Sequence, residues 1–311
     1  MPITEPLPPA PSEADLPLRM WGWDTYSVQP WGDSWQMGYN SRTWLLRHDT
    51  DLHVLKAVPA DRRAEFTSGL RAALIIDAKG VPSAAPRLTL DGEVAGEDGG
   101  WCWALLDYVE GAPADPTDPD QLARVGETLG LIHAGLRDLP ALPGVMAWGH
   151  LDWLLAEEPF LDGHPWIQHA IREALDALPR DLTVGMIHCG ARVSEFRIRR
   201  DTVGLVDWGD VMYAPHIYDL ATTISFLPAG VDPKPFLRGY LAESVIGAEE
   251  LRYIPSALKL RAGIEAWIYA RRLGFGISIG QKGAHVNSTL MERSRKNIAA
   301  AEAMDETSFL S

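Results

Sequence analysis

Residues 184–221 read VGMIHCGARVSEFRIRRDTVGLVDWGDVMYAPHIYDLA, and this stretch carries the strongest structural signals of the chain. It contains two short apolar runs, residues 184–187 and 203–206, which are typical of buried β-strands. Each run is followed by polar residues, namely His188 after the first and Asp207-Trp208-Gly209-Asp210 after the second. Because side chains at adjacent strand ends can converge on one ligand, the stretch predicts a functional site between these two clusters.

The order of these residues resembles that of the aminoglycoside phosphotransferase family, which consists of small-molecule kinases distantly similar to protein kinases. The resemblance lies in the histidine loop, the strand pair, the Asp-aromatic-Gly sequence at 207–209 and the Tyr-Asp-Leu-Ala sequence at 218–221. It implies an α+β, two-lobed protein-kinase-like fold with a small antiparallel β-sheet in the N-lobe and a mainly helical C-lobe. We expect a disordered, proline-rich leader at residues 1–18, the N-terminal lobe at 19–110 and the C-terminal helical lobe at 111–311.

The catalytic loop departs from the family pattern at two positions. The family usually has H-G-D-x-x-x-x-N, in which Asp takes the proton of the substrate hydroxyl and Asn binds a magnesium ion. Here Gly190 stands at the position of that base and Glu195 at the position of the Asn, whereas Asp207 matches the second metal-binding residue. The resemblance therefore implies catalytic positions at Gly190, Glu195 and Asp207, and a magnesium site formed by the oxygen ligands of Glu195 and Asp207.

The nucleotide site is expected in the first third of the chain, where short alternating runs separated by glycines predict a small antiparallel sheet. In the resembled family the first hairpin of this sheet covers the nucleotide phosphates, and Gly32 and Gly38 would flank it here, because glycine lets backbone amides approach closely. A plain hairpin turn is the alternative reading of these two glycines. Lys56 matches the strand lysine that contacts the α- and β-phosphates. Leu106 and Tyr108 lie in a segment that resembles the hinge between the lobes, whose backbone would bind the adenine edge. The implied cofactors are ATP and magnesium.

The remaining candidates support the loop or contact the acceptor. In the resembled family His188 and Asp219 hold the backbone of the loop, so we expect structural roles for both. Cys189 is either a nucleophile or an inert small residue, and the second reading fits the scarcity of basic neighbours. Glu265 and Trp267, on an aromatic C-terminal helix, are candidate substrate contacts, although an aromatic stripe at helical spacing is more often part of a core.

A third departure lies in the helix after Lys56, where the family has a glutamate that pairs with the lysine. Gly69 occupies that position, and Glu65 lies one turn earlier. A general base contributes about 10²–10⁴ in rate, so the glycine at 190 would slow phosphoryl transfer without abolishing it. Two hypotheses stay open: an ATP/Mg-dependent kinase acting on a hydroxyl of a small molecule or peptide with impaired or atypical catalysis, and a pseudokinase binding module. Nucleotidyl transfer on the same scaffold is a third.

Composition limits the partners and the location. The chain has 311 residues, 46% of them hydrophobic, so it can bury a large core. Its formal net charge of −14 argues against nucleic acid and against an anionic membrane surface as partners. Two cysteines give no disulfide framework, and the N-terminus has no signal-peptide pattern, so we expect a cytoplasmic protein. A nucleotide and a small-molecule or peptide substrate are the expected partners, and a protein partner stays open.

Overall fold

The computed structural model describes residues 12–30, 41–277, 285–305 and 307–309, so the predicted phosphate-binding glycines Gly32 and Gly38 lie outside the described residues. The first part of the chain forms an antiparallel sheet in the order β1-β2-β3-β6-β4, with β5 also paired to β6. A single long helix, α1, crosses this region after β3. The elements are β1 (Ser27–Gln29), β2 (Arg42–His48), β3 (Asp51–Pro59), α1 (Arg63–Asp77), β4 (Pro86–Arg87), β5 (Gly96–Asp98) and β6 (Trp101–Asp107).

The alternation of side chains along β3 decides which residues reach the functional site. Leu55 and Ala57 are fully buried in an aromatic core on one face of the sheet. Successive side chains of a strand point to opposite faces, so Val54, Lys56 and Val58 share the other face. Lys56 thus points away from the aromatic core, into the space between the sheet and the rest of the chain.

The aromatic core also includes residues that we assigned to the leader. Leu16 and Leu18 are 7% and 1% exposed and pack with Trp21 and Trp44. Burying two leucine side chains stabilises an ordered conformation by roughly 1.5–3 kcal/mol each. The prediction of a disordered leader at residues 1–18 was therefore wrong for the residues around Leu16 and Leu18.

The second part of the chain is mainly helical. Two three-stranded sheets, ordered β11-β10-β7 and β8-β12-β9, carry the loops that follow the central strands. Among the described residues, no helix has both the length and the apolar character needed to cross a bilayer. The elements are β7 (Ala112–Pro113), α2 (Pro119–Leu136), β8 (Met146–Ala147), α3 (Pro165–Ala177), β9 (Val184–Ile187), β10 (Phe196–Arg199), β11 (Thr202–Leu205), β12 (Met212–Pro215), α4 (His216–Ser225), α5 (Lys234–Glu243), α6 (Ile254–Gly274) and α7 (His285–Glu302).

Helices α2 and α5 pack against each other through glycines. A Cβ at Gly126 of α2 would collide with the carbonyl oxygen of Phe236, and a Cβ at Gly239 of α5 would collide with the carbonyl oxygen of Ala123. The absence of side chains at these glycines lets the two backbones touch. This close approach places the hydroxyl of Tyr240, on α5, 2.8 Å from Nδ1 of His133, on α2.

A buried polar cluster continues from this pair to α4. Nε2 of His133 lies 3.1 Å from Oδ2 of Asp219, and both side chains are fully buried. The ring of His133 also stacks on that of His216, with 4.5 Å between ring centroids. Neither ring nitrogen of His216 has a hydrogen-bond partner within the described part of the chain. Burial, followed by the nearby His133 and Arg137, lowers the pKa of His216 to about 2.

We predict that Gly126→Ala destabilises the protein. The added methyl group has no room against the backbone of Phe236, and overpacking of this kind costs about 1–3 kcal/mol. Urea denaturation followed by circular dichroism measures the change. Gly149→Ala is the matched control, because nothing lies within 4 Å of a Cβ at that position. Equal midpoints for the two variants would contradict the packing described here.

We predict that His216→Leu reduces the loss of stability in acid. The pKa of His216 is lower in the folded protein than in the unfolded chain. The contribution of the neutral His216 to the free energy of unfolding is therefore complete above about pH 6.5 and is lost as the pH falls below that value. The loss approaches about 1.4 kcal/mol per pH unit. Free energies of unfolding at several pH values between 8 and 5 test this. If the free energy of unfolding falls by the same amount between pH 8 and pH 5 in wild type and variant, the prediction is refuted.

Candidate active site

A cleft of about 540 Å³ lies between the β-sheet and the helical part of the chain. One part of its wall is apolar and the other is strongly charged. The apolar part contains Val54, Val58, Ala84, Leu106, Val109 and Val206, with Tyr108 beside them. The charged part contains Lys56, Arg192, Glu195, Asp207, Asp210 and Arg261, and Gly190 also lines it. The structure therefore brings the predicted residues Lys56, Leu106, Tyr108, Gly190, Glu195 and Asp207 to one cleft.

Lys56 and Asp207 meet across this cleft. Nζ of Lys56 donates a hydrogen bond of 2.5 Å to Oδ1 of Asp207, although 151 residues separate them in the chain. Burial alone would lower the pKa of Lys56, but the charges of Asp207, Asp210 and Glu195 raise it overall. The charge of Lys56 in turn lowers the pKa of Asp207. Both groups are therefore ionised at neutral pH, and the cleft holds a lysine cation among three carboxylates.

The position of the family's lysine-pairing glutamate cannot carry a side chain here. A Cβ at Gly69 would overlap the carbonyl oxygen of Trp208, so helix α1 lies directly against the Asp-Trp-Gly turn. Glu65 accepts hydrogen bonds from Arg62 instead. The glycine at position 69 is therefore explained by packing, and Asp207 takes the place of a helix glutamate as the partner of Lys56.

Asp219 fixes the loop that follows β9. Its two carboxylate oxygens accept the backbone N–H groups of His188 and Cys189, each at 2.9 Å. Cys189 has a left-handed backbone with φ of 60°, which is uncommon for a residue with a side chain. Burial would raise the pKa of Asp219, but its hydrogen bond with His133 lowers it overall. An ionised, buried Asp219 thus holds the strained turn that leads to Gly190.

His188 ties this loop to the Asp-Trp-Gly turn. The N–H of Gly190 donates to Nδ1 of His188 at 3.3 Å, and Nε2 lies 3.2 Å from the carbonyl oxygen of Val206. Burial lowers the pKa of His188, which agrees with a neutral ring that accepts at one nitrogen and donates at the other. Val206 directly precedes Asp207, so this ring sets the spacing between the two parts of the charged wall. His188 and Asp219 therefore both contact the backbone of the loop that carries Gly190.

Glu195 lies in a half-buried position in the charged wall. Burial, followed by the charge of Asp207, raises its pKa. Within the described residues, its side chain has no hydrogen bond or ion pair. A carboxylate in this situation gains stability from a cation placed between it and Asp207.

Cys189 does not fit the role of a nucleophile. Its Sγ is buried beside Sδ of Met212 at 3.2 Å, and burial raises the pKa of the thiol to about 12. A thiol that stays protonated is unreactive. The structure favours the reading of Cys189 as an inert residue.

The two predicted acceptor contacts on α6 occupy different environments. Trp267 is 3% exposed and packs edge-to-face against Trp153 and Phe160, so the structure places it in the core and not at the cleft. The prediction of a substrate contact at Trp267 was therefore wrong. Glu265 pairs at 3.3 Å with Arg261 on the preceding turn of the helix, and it is Arg261 that lines the cleft.

Arg261 is a cleft residue that the sequence did not reveal. Its guanidinium and that of Arg192 lie over the ring of Phe226, with distances of 5.6 and 4.3 Å to the ring centroid. The only sequence signal was its i,i+4 spacing from Glu265, which is common on solvent-exposed helices. Both arginines line the cleft that also contains Lys56.

Solved structures of known kinases share the fold of this chain. The solved structure of an amicoumacin kinase in complex with AMP-PNP, Ca²⁺ and its ligand has a TM-score of 0.69 and 17% identity, and the match covers 91% of this chain and 90% of that one. A microcompartment-associated aminopropanol kinase gives a TM-score of 0.66, 16% identity, and 92% and 94% coverage. Spectinomycin phosphotransferase in complex with ADP and spectinomycin gives a TM-score of 0.64 and 12% identity, and the match covers 92% of this chain and 96% of that one. Comparison of the sequence with curated proteins gives no significant match.

These likenesses confirm the two-lobed, kinase-like α+β fold, with an antiparallel sheet in the N-terminal part and helices in the C-terminal part. The model of the phosphotransferase enzyme family matches residues 35–254, which include Lys56, the loop at His188 and the Asp-Trp-Gly turn. The chain therefore belongs to the phosphotransferase enzyme family, the family of the aminoglycoside phosphotransferases.

Proposed function

We propose that the protein is an ATP/Mg-dependent phosphotransferase that transfers the γ-phosphoryl group of ATP to a hydroxyl of a small molecule or peptide, with atypical catalysis. The observation that carries the proposal is the contact of Lys56 with Asp207 in a cleft with one apolar and one charged wall. Phosphoryl transfer depends mainly on positioning and on neutralising charge, and both need these two residues facing each other. A cytoplasmic location, where ATP is available, fits this activity.

The apolar wall suits a nucleobase. Val54 on β3 and Leu106 on β6 are paired residues of neighbouring strands, and Val206 lines the same cleft. A flat ring buried between aliphatic side chains is favourable by about 25 cal/mol per Å² of apolar surface removed from water. Backbone groups of the segment with Leu106 and Tyr108 would form hydrogen bonds with the edge of the adenine. Lys56 would then contact the phosphates of the same nucleotide. The two kinase structures with AMP-PNP and ADP support a nucleotide in this cleft.

The carboxylates fit a magnesium ion. Magnesium is usually held by one or two carboxylates, with phosphate and water oxygens completing the octahedron. Glu195 and Asp207 are two such groups. Burial, followed by the charge of Asp207, raises the pKa of Glu195, and a cation shared by the two carboxylates would relieve their repulsion. Among the described residues no group of three or more His, Cys, Asp or Glu side chains forms a closed metal site. When bound, the ion would neutralise charge on the phosphates.

A pseudokinase that holds a nucleotide, metabolite or peptide is the second candidate function. It is favoured by Gly190, which leaves the loop without a carboxylate at the family's base position, and by Gly69, which leaves no room for the helix glutamate. A pseudokinase that holds a nucleotide would bind ATP as a kinase does, so nucleotide binding alone does not separate them. Release of ADP from ATP under single-turnover conditions does, because a binding module would leave the β–γ bond intact.

We predict that ATP with Mg²⁺ stabilises the wild-type protein against heat and that Lys56→Met weakens this effect. Loss of one charged hydrogen bond to the phosphates costs about 1.5–3 kcal/mol, which corresponds to roughly 10- to 100-fold in affinity. Thermal-shift titrations give the apparent Kd, with Lys79→Met as the control because Lys79 is an exposed lysine that does not line the cleft. Absence of stabilisation in the wild type at millimolar ATP and Mg²⁺ would refute the proposed nucleotide site.

A further inference from the structure

The carboxylate of Asp210 lies next to Gly190, the position where the family has its general base. A Cβ built on Gly190 would lie 3.7 Å from Oδ2 of Asp210 and 3.6 Å from Nδ1 of His188, which are ordinary contact distances. An aspartate at position 190 would therefore extend into space that adjoins the carboxylate of Asp210. Gly190 and Asp210 line the same cleft.

The sheet explains why these two residues are neighbours although 20 positions separate them. Strands β9 and β12 are antiparallel, with Ile187 paired to Met212. The chain after Ile187 therefore runs beside the chain before Met212, which brings position 190 next to the turn that ends at Asp210. This turn, Trp208–Asp210, is anchored by the buried Trp208, whose Nε1 donates to the carbonyl oxygen of Leu205 at 3.1 Å. The position of Asp210 is thus set by rigid elements on both sides.

The Asp210 side chain is available for chemistry. Within the described residues, no hydrogen bond or ion pair engages its carboxylate, and the residue is exposed to the cleft. Its charge is one of the three that raise the pKa of Lys56, so it lies within electrostatic range of the ammonium group that would bind the phosphates. Asp207 is occupied by Lys56, and Glu195 is half-buried beside Asp207. Asp210 is the carboxylate with free oxygen atoms on the side of Gly190.

We infer that Asp210 is the general base of the proposed phosphotransferase, in place of the aspartate that position 190 lacks. In this step the acceptor hydroxyl loses its proton to the Asp210 carboxylate, and its oxygen forms a bond to the γ-phosphorus. The bond from the γ-phosphorus to the β,γ-bridging oxygen breaks, and ADP leaves with the bonding electrons. The inference rests on the proposed function, because it assigns a role within that reaction.

The test is a double-mutant cycle of Asp210→Asn and Gly190→Asp, with ATP and Mg²⁺ as the probe and water as the acceptor. Single-turnover release of ADP gives the rate, and thermal-shift titration gives the ATP affinity of each variant. We expect Asp210→Asn to lower the rate by about 10²-fold, the low end of what a general base contributes, with ATP affinity changed less than about threefold. We expect the double variant Asp210→Asn/Gly190→Asp to release ADP at least tenfold faster than Asp210→Asn alone, since the new carboxylate adjoins the same space.

Asp201→Asn is the matched control, because Asp201 is an exposed aspartate in the turn between β10 and β11 and does not line the cleft. Its rate should equal that of the wild type. Equal rates for wild type and Asp210→Asn, or an inert wild type that Gly190→Asp alone activates, would overturn the assignment of Asp210 and leave the nucleotide site intact. A loss of ATP affinity as large as the loss of rate would also overturn it. A wild type that binds no ATP would instead overturn the proposed function itself.

Discussion

The buried carboxylate of Asp219 is the interaction on which the site depends. It accepts the backbone N–H groups of His188 and Cys189 and pairs with His133, all without exposure to water. A left-handed residue with a side chain, such as Cys189, costs about 1–3 kcal/mol. Two hydrogen bonds to a charged acceptor contribute about 1.5–3 kcal/mol each, which exceeds that cost. The turn that carries Gly190 is therefore held in place by one carboxylate, and the close packing of α2 on α5 supports this carboxylate through Tyr240 and His133.

A second constraint sets the other side of the cleft. Because Gly69 has no side chain, helix α1 rests on the carbonyl group of Trp208, and the Asp-Trp-Gly turn is pressed between this helix and His188. Lys56 then finds its partner in Asp207 and not in a helix glutamate. In the proposed nucleotide complex, phosphate oxygens would compete with Asp207 for the ammonium group. Nucleotide binding would thereby be coupled to the freedom of Asp207 to accept a cation.

The sequence predicted the structure well where a pattern of residues is compatible with only one kind of element. Apolar runs predicted β9 and β11 within one residue at each end. The burial of Trp267 could not be predicted, because the same helical spacing serves a core and a ligand wall. Leu16 and Leu18 were misassigned since prolines around them suggested an extended, exposed chain. Arg261 gave no sufficient signal, as its role depends on where α6 packs.

The contact between positions 190 and 210 shows why a motif comparison underestimates this site. The family motif assigns the general base to one position of the sequence. Since Gly190 occupies that position here, the motif alone indicates that the base is absent. The pairing of Ile187 with Met212 brings a carboxylate from a different loop to the same space, at a distance that no linear motif records. A base contributes about 10²–10⁴ in rate, whereas phosphate positioning and charge neutralisation supply a larger share of catalysis in phosphoryl transfer. A scaffold that keeps Lys56 and Asp207 in contact can therefore lose its loop aspartate and still have a carboxylate within reach of an acceptor hydroxyl.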